Sequence, residues 1–226
     1  KALKYAPFPV VAAPAGMALG GGCEILLHSD AIQAHAESYI GLVETGVGLI
    51  PGWGGNGEML DRYAKAPMMP RGPMPAVAKV FEIVSTAQVS KSAAEAKEML
   101  FLRANDGITM NRDRLLADAK AKAHALVDGY APPEKPVFRL PGESGRTAVA
   151  GVVHDFRMKG VATPYDEVVA SRLAEVLTGG DADLVDTVTE DQILKLERQA
   201  FMASVKDSRT QARVEHMLET GKPLRN

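Results

Sequence analysis

Two carboxylates, Glu24 and Glu44, are the best candidates for catalytic residues in this sequence. Glu24 follows three consecutive glycines (20–22) and Cys23, and a run of glycines leaves no Cβ to keep a ligand away from the main chain. Glu44 is the only ionisable residue in the apolar, glycine-rich stretch 40–55. Such surroundings raise the pKa of a carboxyl group towards the range in which it serves as a general acid or base. Together with exposed backbone N–H groups, two such acids indicate proton transfer next to a carbonyl.

A strand, a glycine turn and a helix should position the first acid. The apolar run Val10–Ala13 predicts a short buried strand, and residues 24–28 predict the opening of a helix with an apolar face. The glycines then lie where the first N–H groups of a helix have no internal acceptor, and the helix dipole adds to the attraction for an anion. This turn can hold an oxyanion or a phosphate, with Glu24 directed at the same place.

The rest of the chain predicts short extended pieces followed mainly by helices. The prolines of 67–75 should exclude regular structure there. Ser92 and Thr189 each precede an acid or amide by three residues, as in a capping box, and Ser208 can cap the last helix. The expected segments are strands at 31–34 and 38–42, and helices over 56–64, 76–86, 92–102, about 111–129, two within 146–180, 189–205 and 208–220.

Composition excludes several classes of protein. The chain has 226 residues and is 46% hydrophobic, so it can bury a sizeable core. Its formal net charge of −2 does not favour binding to nucleic acid or to an anionic membrane. No apolar run approaches the ~18 residues that a membrane span needs. The single cysteine, Cys23, allows no internal disulfide and fits a cytoplasmic location. Because the chain opens at Lys1 with what resembles a helix end, we expect it to be part of a longer polypeptide.

Several apparent sequence motifs do not indicate functional sites. Residues 52–57 spell G-x-G-x-x-G, but Pro51 stands where a strand should end and no acid follows at the distance a ribose requires. His28, Ser29 and Asp30 are neighbours in sequence and cannot face one another as a catalytic triad does. The five histidines lack metal-ligand spacing, so no metal site is predicted. Cys23 is interpreted as a small buried hydrophobe.

The residues 18–24 (Ala-Leu-Gly-Gly-Gly-Cys-Glu), followed at this spacing by Glu44 and by 50–55, resemble the enoyl-CoA hydratase (crotonase) superfamily. The similarity covers about 1–130 and 190–226, and the whole is most similar to the hydratase portion of a bifunctional polypeptide that also contains a 3-hydroxyacyl-CoA dehydrogenase. The resemblance implies an α/β fold, a crotonase-like spiral of ββα units truncated at its N-terminus and followed by a helical C-terminal region. It divides the chain into 1–130 (second half of the core), 131–188 (linker and helical insertion) and 189–226 (helical packing or oligomerisation region).

The resemblance also implies roles for individual residues. Glu24 would orient and deprotonate the water that attacks C3 of a 2-enoyl-CoA in fatty acid β-oxidation, and Glu44 would deliver the proton to C2. Gly21 would donate one backbone N–H to the thioester oxygen. Hydration itself needs no cofactor, and NAD would serve only the missing dehydrogenase part. The implied substrate contacts are Gly20, Val43, Ile50 and Trp53.

The implied partners are an acyl-CoA substrate, the missing N-terminal part of the same polypeptide, and further copies of the chain. In this family the second oxyanion donor comes from a loop well upstream of the glycine motif, so the chain by itself is expected to be inactive. Two other functions stay open: an enoyl-CoA isomerase, and a non-catalytic crotonase-like assembly module.

Structural interpretations of the same residues also stay open. The glycines can form a simple packing turn, and Glu44 can be a structural acid. Trp53 is expected to pack in the wall or core, with lining of the acyl pocket as the alternative. Arg209 and Arg213 are expected on a solvated face, with binding of the CoA phosphates as the alternative.

Overall fold

The computed structural model describes the whole chain, Lys1–Asn226, which divides into two compact units. The first comprises Lys1–Leu42 and Val89–Lys135, and the second comprises Val43–Gln88 and Pro136–Asn226. The division predicted from the sequence, into 1–130, 131–188 and 189–226, stays a prediction.

The strands are short and most of the regular structure is helical. In chain order the strands are β1 Val11–Ala12, β2 Met17–Leu19, β3 Ala31–His35, β4 Tyr39–Gly41, β5 Val89–Ser90, β6 Gly107–Thr109, β7 Val137–Phe138 and β8 Val188–Thr189. The helices are α1 Gly21–Leu27, α2 Gly55–Lys65, α3 Pro73–Ser85, α4 Ala93–Glu98, α5 Leu115–Ala125, α6 Gly142–Met158, α7 Pro164–Leu177, α8 Glu190–Val205 and α9 Ser208–Thr220. Two 3₁₀ turns cover Glu44–Val47 and Arg112–Arg114.

The first unit opens with the strand–strand–helix segment β1–β2–α1, and a second pair of strands, β3–β4, follows it. β1 pairs in parallel with β3, and β3 with β6, whereas β2 pairs in parallel with β4, and β4 antiparallel with β5. Val11 faces Ala31 in one sheet, and Leu19 faces Gly41 in the other. In the pairs β1–β2 and β3–β4 the first strand therefore joins one sheet and the second strand joins the other, as in the ββα units that the resemblance predicts, whereas β5 and β6 join the two sheets in the reverse order.

Buried or half-buried carboxylates complete the hydrogen bonding around these short strands. The Oδ1 of Asp106 accepts the Ile32 N–H at 2.8 Å, and its Oδ2 accepts the Arg103 N–H at 2.6 Å. Asp30 accepts the Val10 N–H at 2.7 Å, so a side chain bonds the main chain just before β1. An unpaired backbone group away from water would cost free energy, and these acids prevent that cost where the ladder is too short to do so.

The second unit is built from helices that pack around buried aliphatic side chains. α6 packs on α7, and α7 packs on α3 and α8. The antiparallel pair β7–β8 joins the segments that precede α6 and α8. Fully buried members of this core include Ile50, Met59, Val77, Val80, Val84, Leu173, Val176 and Leu177.

Helix caps agree with the sequence in two cases and differ in a third. Ser92 and Thr189 cap α4 and α8, each accepting the N–H of the residue three positions on. The prediction for Ser208 is wrong, because Asp207 is the cap of α9 and its carboxylate accepts the Arg209 N–H. Gly221, in the left-handed conformation, ends α9 as a C-terminal glycine commonly does.

Three other predicted elements need correction. α3 begins at Pro73, inside the proline-rich stretch, because a proline at the first helical position removes an N–H that has no partner there. α4 stops at Glu98 instead of running to residue 102, since Leu100 adopts a positive φ of 56°. The strand predicted at residues 10–13 is half-buried rather than buried.

The prediction that Arg213 lies on a solvated face of the last helix is wrong. Its side chain is 3% exposed and donates to Oδ1 of Asp166 at 2.8 Å. It also donates to Oδ1 of Asn226 at 2.7 Å, so one guanidinium joins α9 to α7 and to the C-terminus. Arg209 does keep an exposed side chain, which is bonded to Asp207.

The pair formed by Asp166 and Arg213 makes stability depend on pH. Burial alone would raise the pKa of the Asp166 carboxyl, but hydrogen bonds from Thr163 and Arg213 outweigh burial and hold its pKa below the usual range. A carboxyl group with a depressed folded-state pKa stabilises the fold above its unfolded pKa, and this stabilisation is lost as the pH falls through the folded-state pKa.

We therefore predict that Asp166→Asn lowers the free energy of unfolding at pH 7. The difference from the parent protein should shrink as the pH falls below the ordinary pKa of an aspartate, about 4, because the parent carboxyl then takes up its proton. Urea unfolding at a series of pH values measures both effects. Asp155→Asn, at an exposed position of α6, is the control and should leave the stability at pH 7 unchanged. A difference for Asp166→Asn that stays constant over the whole range would contradict the prediction.

Candidate active site

The glycine turn between β2 and α1 is compact and open to solvent on one side. Gly20 has φ 55° and ψ −124°, a conformation that side-chain-bearing residues rarely adopt, and its N–H donates to the Gly41 carbonyl at 2.9 Å. Gly21 and Gly22 form the first turn of α1, where the N–H groups have no acceptor within the helix. A Cβ added at Gly22 would meet no atom within 4 Å. The turn is therefore open at Gly22, whereas Gly21 is half-buried and Gly20 is buried.

Glu24 lies two residues beyond that turn and is 4% exposed. Its backbone N–H donates to the Gly20 carbonyl at 3.0 Å, which closes the first full turn of α1. A carboxylate near a helix N-terminus interacts favourably with the helix dipole. Gly20, Gly21 and Glu24, all predicted as site residues, are thus brought together within the first unit.

The histidine, serine and aspartate that follow α1 make separate bonds. His28 Nδ1 lies 2.7 Å from the Glu24 carbonyl oxygen, and the Ser29 hydroxyl donates to the Ile25 carbonyl at 3.0 Å. Asp30 accepts from the backbone before β1. These residues end a helix, as predicted, and Cys23 is fully buried, as predicted.

Glu44 opens the 3₁₀ turn Glu44–Val47 in the second unit. The Leu49 N–H donates to the Glu44 carbonyl at 3.0 Å, and the Oε2 atom of Glu44 is buried. Thr45 anchors the turn to α3, because its hydroxyl donates to the Val84 carbonyl at 2.7 Å. The acid therefore projects from a turn whose main chain is fixed by neighbouring elements.

The predicted substrate contacts on this loop differ widely in exposure. Ile50 is fully buried and Val43 is half-buried, whereas the Trp53 side chain is 71% exposed. The expectation that Trp53 packs in the wall or core is wrong. The reason lies in its neighbour Gly52, whose main chain contacts the Phe201 ring so closely that an added Cβ would be 2.9 Å from Cδ2. The loop packs through its main chain here, and the indole points outward.

Glu197 of α8 holds the end of the same loop. This side chain is fully buried, and its two oxygens accept the Gly54 N–H at 2.7 Å and the Asn56 N–H at 3.1 Å. Gly54 precedes α2 and has no side chain to cap it, so the carboxylate from α8 supplies the cap. The G-x-G-x-x-G stretch therefore already carries an anionic group of the chain itself at its helix N-terminus.

Sequence reasoning missed Glu197 and Thr210. The Thr210 hydroxyl of α9 donates to the Gly48 carbonyl at 2.9 Å, immediately after the turn that carries Glu44. A signal was present for Glu197, because it shares the buried stripe of α8 with Ile193, Ala200 and Ser204. A lone acid on an apolar helix face needs a buried partner, and here the partner is main chain.

The two predicted acids follow neighbouring parallel strands. β2 and β4 end side by side, with Leu19 paired to Gly41. Glu24 comes five residues after the end of β2, and Glu44 comes three residues after the end of β4. In parallel α/β sheets the carboxyl ends of the strands form the edge at which ligands bind.

No three side chains of the types His, Cys, Asp and Glu are grouped in the chain so that they could hold a metal ion. None of the helices has both the length and the apolar character that a membrane span requires.

Comparison with known proteins identifies related sequences and folds. Residues 1–67 match the family model described as enoyl-CoA hydratase/isomerase. A protein of Bacillus subtilis (strain 168) named "Probable 3-hydroxyacyl-CoA dehydrogenase" is 45% identical over 227 residues, which cover 99% of this chain and 28% of that protein. The chain thus spans less than a third of the length of that relative.

Solved structures show the fold. The crystal structure of carnitinyl-CoA hydratase from Mycobacterium avium matches with a TM-score of 0.56 and 20% identity, over 96% of this chain and 62% of that chain. Enoyl-CoA hydratase/isomerase from Pseudoalteromonas atlantica matches with a TM-score of 0.55 and 17% identity, over 96% of this chain and 64% of that chain. The predicted crotonase-like α/β fold is therefore confirmed.

We predict that Glu197→Gln lowers the free energy of unfolding by about 2 kcal/mol, because a hydrogen bond to a charged group is worth more than a neutral one and the amide NH₂ would face a backbone N–H. Urea unfolding measures the change. Glu215→Gln makes the same chemical replacement at an exposed position of α9 and should stay within about 0.5 kcal/mol of the parent. Equal effects of the two substitutions would show that the carboxylate of Glu197 does not hold the loop.

Proposed function

We propose that the polypeptide containing this chain is an enoyl-CoA hydratase, because residues 1–67 match the enoyl-CoA hydratase/isomerase family model and the fold is crotonase-like. It would add water reversibly, in the syn sense, across the double bond of 2-enoyl-CoA thioesters in fatty acid β-oxidation. The family match over residues 1–67 includes both acids and the glycine turn.

One observation carries the proposal: Glu24 and Glu44 each follow the end of one of two adjacent parallel strands, and the first of them lies in the same helical turn as the half-buried Gly21. Hydration of an enoyl thioester needs a base for the water, an acid for C2 and a donor for the thioester oxygen. The chain supplies a residue for each of these roles.

The proposed reaction proceeds through an enolate. Glu24 removes a proton from water as its oxygen bonds to C3, and the electron pair of the double bond moves towards the thioester carbonyl. The Gly21 N–H donates to the developing oxyanion, and removal of one such donor costs about 3 kcal/mol of transition-state stabilisation. Glu44 then delivers a proton to C2, which restores the carbonyl and yields a 3-hydroxyacyl-CoA. Gly20, Val43, Ile50 and Trp53 are the proposed substrate contacts.

We also propose that the hydratase belongs to a bifunctional polypeptide. The Bacillus relative is named for a dehydrogenase of 3-hydroxyacyl-CoA, the product that hydration would give, and this chain aligns with 28% of it. Hydration changes no oxidation state overall, so NAD would serve only the dehydrogenase step. The upstream part of the polypeptide and further copies of the chain are the proposed partners.

We predict that Glu24→Gln and Glu44→Gln each lower kcat for the hydration of crotonyl-CoA by about 10²- to 10⁴-fold, the usual contribution of a general acid or base. The KM should change little, since neither amide removes bulk from the site. The assay uses the full-length polypeptide and follows the formation of 3-hydroxybutyryl-CoA. Glu37→Gln, at an exposed position between β3 and β4, is the control and should retain the parent kcat.

Two outcomes would contradict this function. Unchanged turnover in both variants would favour a non-catalytic assembly module. Efficient migration of the double bond of 3-enoyl-CoA in the parent protein, without hydration of crotonyl-CoA, would identify an isomerase instead.

A further inference from the structure

A line of buried hydroxyl groups leads from α7 through α9 to the turn that carries Glu44. The Tyr165 Oη lies 2.5 Å from the Thr210 Oγ1, and the Thr210 hydroxyl donates to the Gly48 carbonyl at 2.9 Å. Tyr165 and Thr210 are 1% and 2% exposed. A hydroxyl has one proton to donate, and that of Thr210 goes to Gly48, so Tyr165 is the donor in the contact between the two side chains.

The Gly48 contact is close and leaves no room for a side chain. Gly48 has φ +80°, and a Cβ at this position would lie 2.9 Å from the Thr210 Oγ1 and 3.0 Å from the Tyr165 Cε1. The main chain of the loop is thus pressed directly against these two residues. A left-handed residue in such contact has few alternative positions.

Two backbone hydrogen bonds transmit this contact to Glu44. The Gly48 N–H donates to the Thr45 carbonyl at 3.0 Å, and the Leu49 N–H donates to the Glu44 carbonyl at 3.0 Å. At its other end the turn is held to α3 by the Thr45 hydroxyl. The backbone of Glu44 is therefore fixed from two sides, by α3 through Thr45 and by α9 through Gly48.

Cations hold the Tyr165 ring in turn. The guanidinium of Arg209 lies 4.2 Å from the ring centroid and that of Arg213 lies 5.0 Å from it. Arg213 is itself bonded to Asp166, the residue next to Tyr165 in α7. Cation–π contacts at these distances are attractive and favour one ring position. The hydroxyl line therefore starts from an oriented phenol.

We propose that Thr210, oriented by Tyr165, is a positioning residue for Glu44: its hydroxyl fixes the Gly48 carbonyl and with it the turn from which the acid projects. This inference rests on the proposed function, in which Glu44 protonates C2. Displacement of a catalytic group by about 1 Å can cost about 10²-fold in rate, so the hydroxyl should affect turnover even though it touches no substrate.

Three substitutions separate positioning from simple packing. Thr210→Val keeps the shape of the side chain and removes the hydroxyl, and Thr210→Ser keeps the hydroxyl. Thr178→Val is the matched control, because Thr178 is a fully buried threonine of the same unit whose hydroxyl donates to the Ala174 carbonyl at 2.8 Å, away from the Glu44 turn. Thr178→Val loses a buried hydroxyl-to-carbonyl bond, and Thr210→Val loses a bond of that kind together with the one that its hydroxyl accepts from Tyr165.

In the full-length polypeptide, Thr210→Val should lower kcat for crotonyl-CoA hydration by about 10- to 100-fold, with KM changed less than about 3-fold. Thr210→Ser should stay within about 3-fold of the parent kcat, and Thr178→Val should retain the parent kcat. All variants are assayed at a temperature at which urea unfolding shows each to be folded. A parent-like kcat for Thr210→Val, or an equal loss in both valine variants, overturns the inference.

Hydrogen exchange gives a readout that does not depend on activity. Exchange of the Gly48 and Leu49 amides should become about 10-fold faster in Thr210→Val and stay unchanged in Thr178→Val. Unchanged exchange at both amides in Thr210→Val overturns the positioning role. If Glu44→Gln retains full turnover, the proposed function fails, and exchange still decides whether Thr210 fixes the turn.

Discussion

The bonds between the Glu197 carboxylate and the main chain at Gly54 and Asn56 illustrate the constraint on which the second unit depends. The loop from Glu44 to the start of α2 is rich in glycine and therefore offers few side chains that could pack or cap. Its backbone groups must still be satisfied where they are buried. Helices far along the chain meet this need: α8 supplies a carboxylate and an aromatic ring, and α9 supplies a hydroxyl.

The first unit solves the same problem with different residues. Its strands are two to five residues long, and such short ladders leave many main-chain groups unpaired. Asp106 and Asp30 accept the N–H groups at these places, so the parallel register of the strands is set partly by carboxylates. The other sheet has a register of its own, in which Leu19 of β2 pairs with Gly41 of β4. Side-chain carboxylates thus complete the hydrogen bonding that the short ladders leave open.

Much of the helical structure could be predicted from sequence, because its signals are local. Ser92 and Thr189 indicate the starts of α4 and α8 through capping motifs of four residues, and Gly221 marks the end of α9. The glycine turn before Glu24 was equally visible, and the crotonase-like fold followed from its resemblance to a family. The start of α3 was obscured because prolines can open a helix as well as break one.

Long-range contacts explain what the sequence did not reveal. Nothing near Arg213 indicates that Asp166 and Asn226 will surround it, and a basic residue on a terminal helix is usually solvated. The exposure of Trp53 depends on the fit of Gly52 against Phe201, which no local pattern encodes. The partners of Glu197 are main-chain groups, and these have no residue type from which a contact could be inferred.

The distance in sequence between the Glu44 loop and its anchors has a consequence for biosynthesis. Gly54 and Glu197 are separated by 143 positions, and Gly48 and Thr210 by 162. Contacts of such separation form late, because a long stretch of polypeptide must be ordered before they can close. On a ribosome the loop would therefore lack its contacts with α8 and α9 until α9 emerges from the exit tunnel. A nascent chain arrested before that point would contain Glu44 without the contacts that fix its turn.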